Sequence, residues 1–392
     1  MELYIHIPFC LRKCNYCDFI SYPNRTDLWE PYIALLLSEA EGRFAELSGS
    51  PCSIETVYIG GGTPSLLPSH LLIRLMKGLK KYFDFSRLTE FTIEANPGTV
   101  TPEWADAARA LGANRISLGM QAAQTRILEM LGRLHTLDDV QRSVKIFRSA
   151  GFANISLDLM FGIPDQTVED WRNTLDAALS FRPDHISAYG LIPEPGTQLY
   201  RNLQEKTYTL PEPELERDMY DLALSRLKQY QYYQYEISNF ARPGYACQHN
   251  IGYWSQIPYI GLGIAAASMI PAKTQSMHSV GDPSGFTCYR EKNPDDFSSY
   301  HDLTQTQNRV SREVEYITGG DAEFETMMLG LRMNKGVSEP CFLKLHGRSM
   351  DSVFGDKLNK LVQQGLVVRS LQQCHLTRKG MDLQNSVLVD LM

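Results

Sequence analysis

The sequence predicts an α/β fold, a parallel sheet of strand–helix repeats followed by a small helical, winged-helix-like tail. Three observations predict it. Short β-like runs recur through the first half of the chain, helix-like segments with recognisable start signals separate them, and near the C-terminus three helical patterns precede a small hairpin. Strands joined by helical crossovers pair in parallel, because a tight turn can connect only antiparallel neighbours.

The runs are LYIHIP (3–8), TVYIGGG (56–62), EFTIEANP (90–97), RISLGMQ (115–121), NISLDLMFG (154–162) and HISAYGLI (185–192). Between the third and fourth, TPEWADAARALG offers Thr101 as N-cap, Pro102 at the first helical position and Gly112 as a stop. TLDDVQRSVKIFRSAG and TVEDWRNTLDAALSF open on Thr136 and Thr167, each followed three residues later by Asp, a variant of the capping box. Such an array either opens as a doubly wound sheet or curls toward a barrel, and periodicity does not choose between them. In both, chemistry sits at the C-terminal strand ends, where IPFC, GGGTP, EANP, GMQ and DLMFG fall.

After about residue 205 the pattern changes. A helix-like stretch, PEPELERDMYDLALSRLKQY, leads into the aromatic YQYYQYEISNFARPGYACQHNIGYW, and 280–310 is expected to be a long loop or hinge. The tail reads as helix (DAEFETMMLGLRM), helix, helix (SVFGDKLNKLVQQG), strand (LVVR), turn, HLT and a last helix. The expected division is therefore 1–205, 206–310 and 311–392.

A chain of 392 residues with 43% hydrophobic and 21% charged residues has room for two or three domains. A net charge of -7 argues against bulk nucleic acid as a partner. The longest mostly apolar run, YIGLGIAAASMIPA (259–272), is too short to span a bilayer, so at most peripheral membrane contact is expected. Eight cysteines without a secretory leader indicate a cytoplasmic protein rather than a disulfide framework. Cys52, Cys247, Cys288, Cys341 and Cys374 stand alone and are expected to be buried as small hydrophobes.

Cys10, Cys14 and Cys17 are different: they form C-x3-C-x2-C directly after the first strand. Thiolates at this spacing suit neighbouring corners of an iron–sulfur cluster or three positions of a zinc site. No fourth thiol or imidazole follows nearby to close a structural zinc site. Three ligands leave one iron open to bind something else.

CLRKCNYC after the first strand, GGGTP after the second, Glu94 ending the third, Gln121 the fourth and Asp158 the fifth resemble the radical S-adenosylmethionine (radical SAM) superfamily. The resemblance covers the whole chain and implies a partial six-stranded (βα)6 barrel. It further implies a [4Fe-4S] cluster on Cys10, Cys14 and Cys17, with SAM on the open iron and reductive cleavage to a 5'-deoxyadenosyl radical. The SAM contacts it implies are Tyr4, Tyr16, Gly61, Gly62, Thr63, Glu94, Gln121, Arg133 and Asp158. Taken singly, the glycines are a tight turn, Glu94 or Asp158 a helix cap and Arg133 a solvated charge. Together they supply close backbone approach, acceptors for an ammonium and ribose hydroxyls, and a cation for a carboxylate.

Within the superfamily the chain resembles the oxygen-independent coproporphyrinogen III oxidase-like group, and within that its heme chaperone branch, HemW, through YIHIPFC, GGGTPSLL, LGRLHT, DLMFGIP, EISNFARPGYACQHNIGYW and LTRKG. True oxidases resemble C-x3-C-x2-C-x-C with an N-terminal extension; here Phe19 takes the further Cys position and nine residues precede Cys10. HNIGYW (249–254) fits the HNxxYW motif that the branch is thought to use for heme, which makes His249 the candidate iron ligand and Tyr253 and Trp254 candidate porphyrin contacts. Two departures bear on specificity: GLGIAAAS puts Ala267 where a His is expected, and QAA puts Ala122 and Ala123 where QSF is expected. A repurposed radical SAM methyltransferase or cyclopropanase is the alternative those departures keep open. The partners implied are heme, an acceptor hemoprotein such as a respiratory enzyme, an electron donor such as flavodoxin or ferredoxin, and a second copy in a homodimer.

Overall fold

Each of the six predicted runs is a strand: β1 Glu2–Ile7, β2 Thr56–Gly61, β3 Glu90–Ala95, β4 Arg115–Gln121, β5 Asn154–Phe161 and β6 His185–Gly190. They lie side by side in chain order, every neighbouring pair parallel. That order never reverses, so the sheet has no crevice of the doubly wound kind. Right-handed crossovers repeated in one direction put all the helices on one face and curl the sheet away from them. The inward side chains of β2 to β6 consequently meet around one lumen. The computed structural model describes residues 1–47, 51–272, 286–306 and 311–392.

The sheet is longer than the six-stranded core. On one side β7 Tyr233–Glu236 and β8 Asn239–Ala241 form a hairpin that adds antiparallel to β6. On the other, β9 Tyr259–Leu262 adds parallel to β1, followed by antiparallel β10 Ala267–Pro271, β11 Phe286–Lys292 and β12 Glu313–Thr318. The order is β7-β8-β6-β5-β4-β3-β2-β1-β9-β10-β11-β12. This corrects the expectation of a loop at 280–310: 286–292 is a strand and Phe297–Thr306 a helix, while 280–285 and 307–310 lie outside the described residues. CYREK reads as loop because its polar residues suggest solvent, yet Glu291 is buried.

Glu291 is buried because it belongs to a charge network that ties this extension to the helix Trp29–Glu46. Arg43, 1% exposed, pairs with Glu291 and with Glu46 at 3.2 Å and donates to Ser268 Oγ at 3.2 Å. Arg312 reaches Glu46 at 2.9 Å, and Glu39 accepts from Asn293 at 2.7 Å, Tyr300 at 2.7 Å and the Gly263 N–H at 2.8 Å.

The crossover helices start where their caps dictate. Thr101 Oγ1 accepts from the Trp104 N–H at 3.2 Å, and Thr136 and Thr167 each close a full capping box with Asp139 and Asp170. Trp171, fully buried, donates its indole N–H to the Met219 carbonyl at 2.8 Å and docks helix Val168–Ser180 on helix Pro213–Gln229.

The tail has its own core of Met327, Leu331, Phe342, Phe354, Leu358 and Leu361. Helix Gly319–Gly330 is followed by β13 Val337–Ser338, helices Glu339–His346 and Met350–Gln363, and then β14 Val367–Arg369 and β15 Gln373–Leu376, the three strands forming a sheet in the order β13-β15-β14. It joins the barrel through the Glu236–Met333 bridge and an Arg217–Asp382 ion pair at 2.8 Å. Of the isolated cysteines, Cys247 and Cys374 are buried as expected, Cys52 and Cys288 only partly, and Cys341 is exposed. Among the described residues no helix is long and apolar enough to cross a membrane.

Removing Arg43 leaves buried carboxylates without their counter-charge, which costs about 3–5 kcal/mol when one member of a buried pair is deleted. Arg43→Met is expected to lower the denaturation midpoint markedly, while Arg25→Met, whose Asp27 pair is exposed, changes it little. Equal midpoints for the two variants in chemical denaturation contradict this role for the network.

Candidate functional site

Past its C-terminal end, β1 runs into the cysteine loop, and β2 runs into Gly61, Gly62 and Thr63. The two turns are laced together by backbone hydrogen bonds, Gly62 N–H to Ile7 O at 2.8 Å and Thr63 N–H to Phe9 O at 2.7 Å. Glycine is needed at both positions. Gly61 has φ +108°, and a Cβ there would sit 2.4 Å from the His6 ring; one on Gly62 would sit 2.6 Å from the Phe9 carbonyl oxygen. Thr63 also brings its hydroxyl to 3.8 Å from Cys10 Sγ and accepts from Asn96 Nδ2 at 2.8 Å.

Arg133 comes from the turn before the next crossover helix and is anchored rather than solvated. Its Nη2 donates to Asn96 Oδ1 and to the Gly119 carbonyl, both at 2.7 Å, and its Nη1 lies 3.7 Å from Cys14 Sγ. Burial works against its charge, but Tyr16 and Cys14 beside it more than restore it and raise its pKa. Gln121 has φ +63°, next to a register shift between Gly119 and Gln121, so the end of β4 bulges and re-aims this side chain.

Two carboxylates face the lumen, each held by donors. Glu94 accepts from Tyr58 OH at 2.8 Å and the Gly61 N–H at 3.0 Å; burial nevertheless lifts its pKa to about 7. Asp158 gathers three serines, Ser117 at 2.9 Å, Ser187 at 2.7 Å and Ser156 at 3.4 Å, and burial raises its pKa too.

One cavity of about 430 Å³ collects Cys10, Cys14 and Cys17 with Tyr16, Gly61, Gly62, Thr63, Glu94, Gln121, Arg133 and Asp158. Tyr4 is absent from its lining: its hydroxyl lies 3.0 Å from His6 Nδ1 and its ring stacks on Tyr58 at 6.3 Å. Ala267 and the Ala122–Ala123 pair are also not on the lining; Ala122 is buried against Ile127 and Leu131, away from the lumen. The lining adds Tyr58, Asn96, Arg115, Ser117, Ser187, Tyr189 and Asn250. Most were readable from period 2: Arg115, Ser117, Gly119 and Gln121 alternate along β4, Ser187 and Tyr189 along β6.

The residues present fit a cluster and SAM. Cys10, Cys14 and Cys17 share one lining with the glycine turn and the lumen carboxylates. Burial pushes Cys10 up and Cys17 up to about 11, so loading a cluster onto these thiols must release protons. The glycine turn, Glu94, Asp158 and Arg133 provide a backbone cradle, two acceptors and a cation around the same space.

The HNIGYW segment touches this cavity at Asn250 alone. It is the helix Gln248–Trp254, which caps the N-terminal end of the barrel: Glu90 at the start of β3 accepts from the His249 N–H at 3.1 Å, and Gly252 passes so close to Glu2 that a Cβ there would overlap the carboxylate. His249 is 1% exposed, with Nδ1 at 2.7 Å from Thr56 Oγ1 and Nε2 at 3.0 Å from Tyr253 OH, so neither ring nitrogen is free. Its pKa is pushed down to about 3 by burial and by Arg115. Trp254 stands apart from them, its ring 4.3 Å from the Arg332 guanidinium, on the wall of a second, wider groove of about 770 Å³.

A carboxyl that titrates higher in the folded chain gives its full stability below pH 4.5 and loses it as pH rises through about 7. Relative to Glu94→Gln, which stays neutral, the cluster-free wild type is expected to lose on the order of 3 kcal/mol across that interval. Parallel stability curves for the two proteins in denaturant titrations at stepped pH contradict the burial of Glu94.

Comparison with known proteins agrees with this geometry. A family profile described as the Radical SAM superfamily matches residues 4–178, and the HemN C-terminal domain matches 317–383. The chain is 37% identical to "Heme chaperone HemW" of Bacillus subtilis over 98% of this chain and 97% of that one. It is 32% identical to "Heme chaperone HemW" of Escherichia coli over 99% and 97%. Among solved structures, the radical SAM coproporphyrinogen III oxidase HemN of Escherichia coli superposes with a TM-score of 0.82 at 23% identity, over all of this chain and 89% of that one.

Proposed function

The chain belongs to the HemW family of radical SAM proteins, and we propose that it binds heme and hands it to an acceptor hemoprotein, with a cluster-and-SAM site at the barrel mouth setting its state. The observation that supports this reading is a cavity lined by the three cysteines, the glycine turn, Glu94, Arg133 and Asp158 beside a second, larger groove, with Tyr189 and Asn250 on the lining of both. A [4Fe-4S] cluster on Cys10, Cys14 and Cys17, when bound, supplies a one-electron reductant for the SAM sulfonium.

The chain's own residues divide the work. Gly61, Gly62 and Thr63 offer backbone to the ligand, Arg133 offers a cation already fixed by Asn96 and the Gly119 carbonyl, and Glu94 and Asp158 offer acceptors. Tyr16 and Phe19 cover the cluster loop from the cavity side. Electrons arrive from a small one-electron carrier such as a flavodoxin or ferredoxin, and the exposed Arg12 and Lys13 in the cluster loop present positive charge to an acidic donor. Cytoplasmic residence and pairing with a second copy complete the proposal. Heme contact through the HNIGYW segment falls to Trp254 and Asn250, whereas His249 positions the floor of the barrel.

The test is anaerobic reconstitution with iron and sulfide, then hemin titration followed by absorption with SAM present, with 5'-deoxyadenosine assayed in the same mixture. Saturable hemin binding at fixed stoichiometry is expected. Replacing Cys10, Cys14 and Cys17 together by Ala should abolish iron and sulfide incorporation. No hemin binding alongside continued SAM turnover overturns the chaperone reading in favour of an enzyme of the methyltransferase type.

A further inference from the structure

The lumen holds a charge that the cofactor reading leaves unused. Arg115 opens β4 with its side chain on the cavity lining and is 2% exposed. Its Nε is sealed without an acceptor, and no carboxylate among the described residues comes within ion-pairing distance of the guanidinium. The acids around it are committed. Glu90 accepts from the Cys247 thiol and the Gln248 and His249 N–H groups, Asp158 from serines, and Glu94 from Tyr58 and Gly61. Of the other cations on the lining, Arg133 has two oxygen acceptors, and Arg12 and Lys13 are exposed in the cluster loop. Glu90 supports the charge of Arg115 from beyond ion-pairing distance but takes none of its hydrogen bonds, so the guanidinium keeps donors for an arriving anion. A carboxylate answers its fork of donors best.

The cavity that Arg115 lines borders a second space. Asn250 and Tyr189 belong both to its lining and to that of the neighbouring groove of about 770 Å³. The groove wall carries Tyr220, which stacks on Phe161 and lies under Arg378, Trp254 with the Arg332 guanidinium over its ring, and the side chain of Ile192, which is 71% exposed. Arg217 lines it as well but is already paired with Asp221 and Asp382. Aromatic and aliphatic walls beside a buried cation with unused donors call for a flat, largely apolar molecule with a carboxylate on a short arm.

Resting on the heme reading above, we infer that Arg115 is a carboxylate subsite separate from the SAM contacts, and that its ligand is a propionate of a tetrapyrrole whose ring lies in the groove. The propionate passes between Tyr189 and Asn250. Arg115 thereby fixes the orientation of the ring, and no ligation by His249 is required.

The experiment compares hemin with its dimethyl ester, which keeps the iron and ring and lacks both carboxylates, on the reconstituted full chain. Wild type is expected to bind hemin at least tenfold more tightly than the ester, and Arg115→Gln to erase that preference while leaving ester binding unchanged. Cluster absorbance and SAM affinity should persist in Arg115→Gln, and Arg115→Lys should recover part of the preference. Ile192→Glu should weaken both ligands. Equal affinity of wild type for hemin and ester overturns the subsite, and does so even if the variant fails to fold. Equal weakening of both ligands by Arg115→Gln also overturns it, since that marks a residue that only supports the fold. Unchanged binding in Ile192→Glu overturns the ring placement. If wild type binds neither ligand, the heme reading itself has failed.

Discussion

The arrangement depends on two backbone hydrogen bonds that continue the β1–β2 pairing beyond the ends of both strands. Gly62 and Thr63 donate to Ile7 and Phe9, which pins the entry to the cysteine loop against the glycine turn. Side chains could drift by a rotamer without moving the loop, but backbone pairing cannot. The turn can lie this close only because Gly62 has no Cβ to strike the Phe9 carbonyl. From that fixed corner Thr63 reaches Cys10 and Asn96, Asn96 reaches Arg133, and Arg133 reaches Cys14. A ring of contacts therefore returns to the loop where it began, and thiols ten to seventeen residues into the chain share one mouth with groups from β3 and β4.

The lumen behind the mouth is polar, and its stability is a matter of matched donors and acceptors. Desolvation favours the neutral form of Glu94 and Asp158, while serine, tyrosine and backbone donors favour the ionised form. The barrel floor is treated differently. There His249, Thr56 and Tyr253 satisfy one another, and the histidine stays neutral across the physiological range. A polar lumen above a neutral, hydrogen-bonded floor keeps ligand chemistry at the C-terminal end, as expected of a βα barrel.

Much of this was legible in the residues. The six core strands, the caps at Thr101, Thr136 and Thr167 and the convergence of strand ends followed from local chemistry, because propensity, capping and burial agree there. Strand β11 was not legible, since Glu291 breaks the apolar alternation in order to meet Arg43, a partner 248 residues away. Tyr4 was assigned to the SAM site by resemblance, and local chemistry could not show that it would stand beside His6 and the lining residue Tyr58. His249 shows the same limit: a motif can report that a histidine matters without reporting whether it meets a ligand or a threonine. Arg115 went unnoticed because an arginine at a strand start reads as a solvated charge, and only the lumen reveals its isolation.

The position of β1 between β2 and β9 has a consequence for how the protein is made. β1 leaves the ribosome ahead of both its partners and finds β2 within some sixty residues, yet its other edge stays open until Tyr259–Leu262 has been synthesised. At translation rates of about 5–20 residues per second, that interval lasts on the order of ten seconds or more. Throughout it, the apolar Leu3, Ile5 and Ile7 sit on a strand whose unpaired amides invite other strands. The floor helix Gln248–Trp254 is equally late, so the nascent half-barrel is open at its base while the cysteine loop is already outside the ribosome. Holdases that shield strand edges, and the timing of iron–sulfur delivery, therefore bear on this chain before its last hundred residues exist.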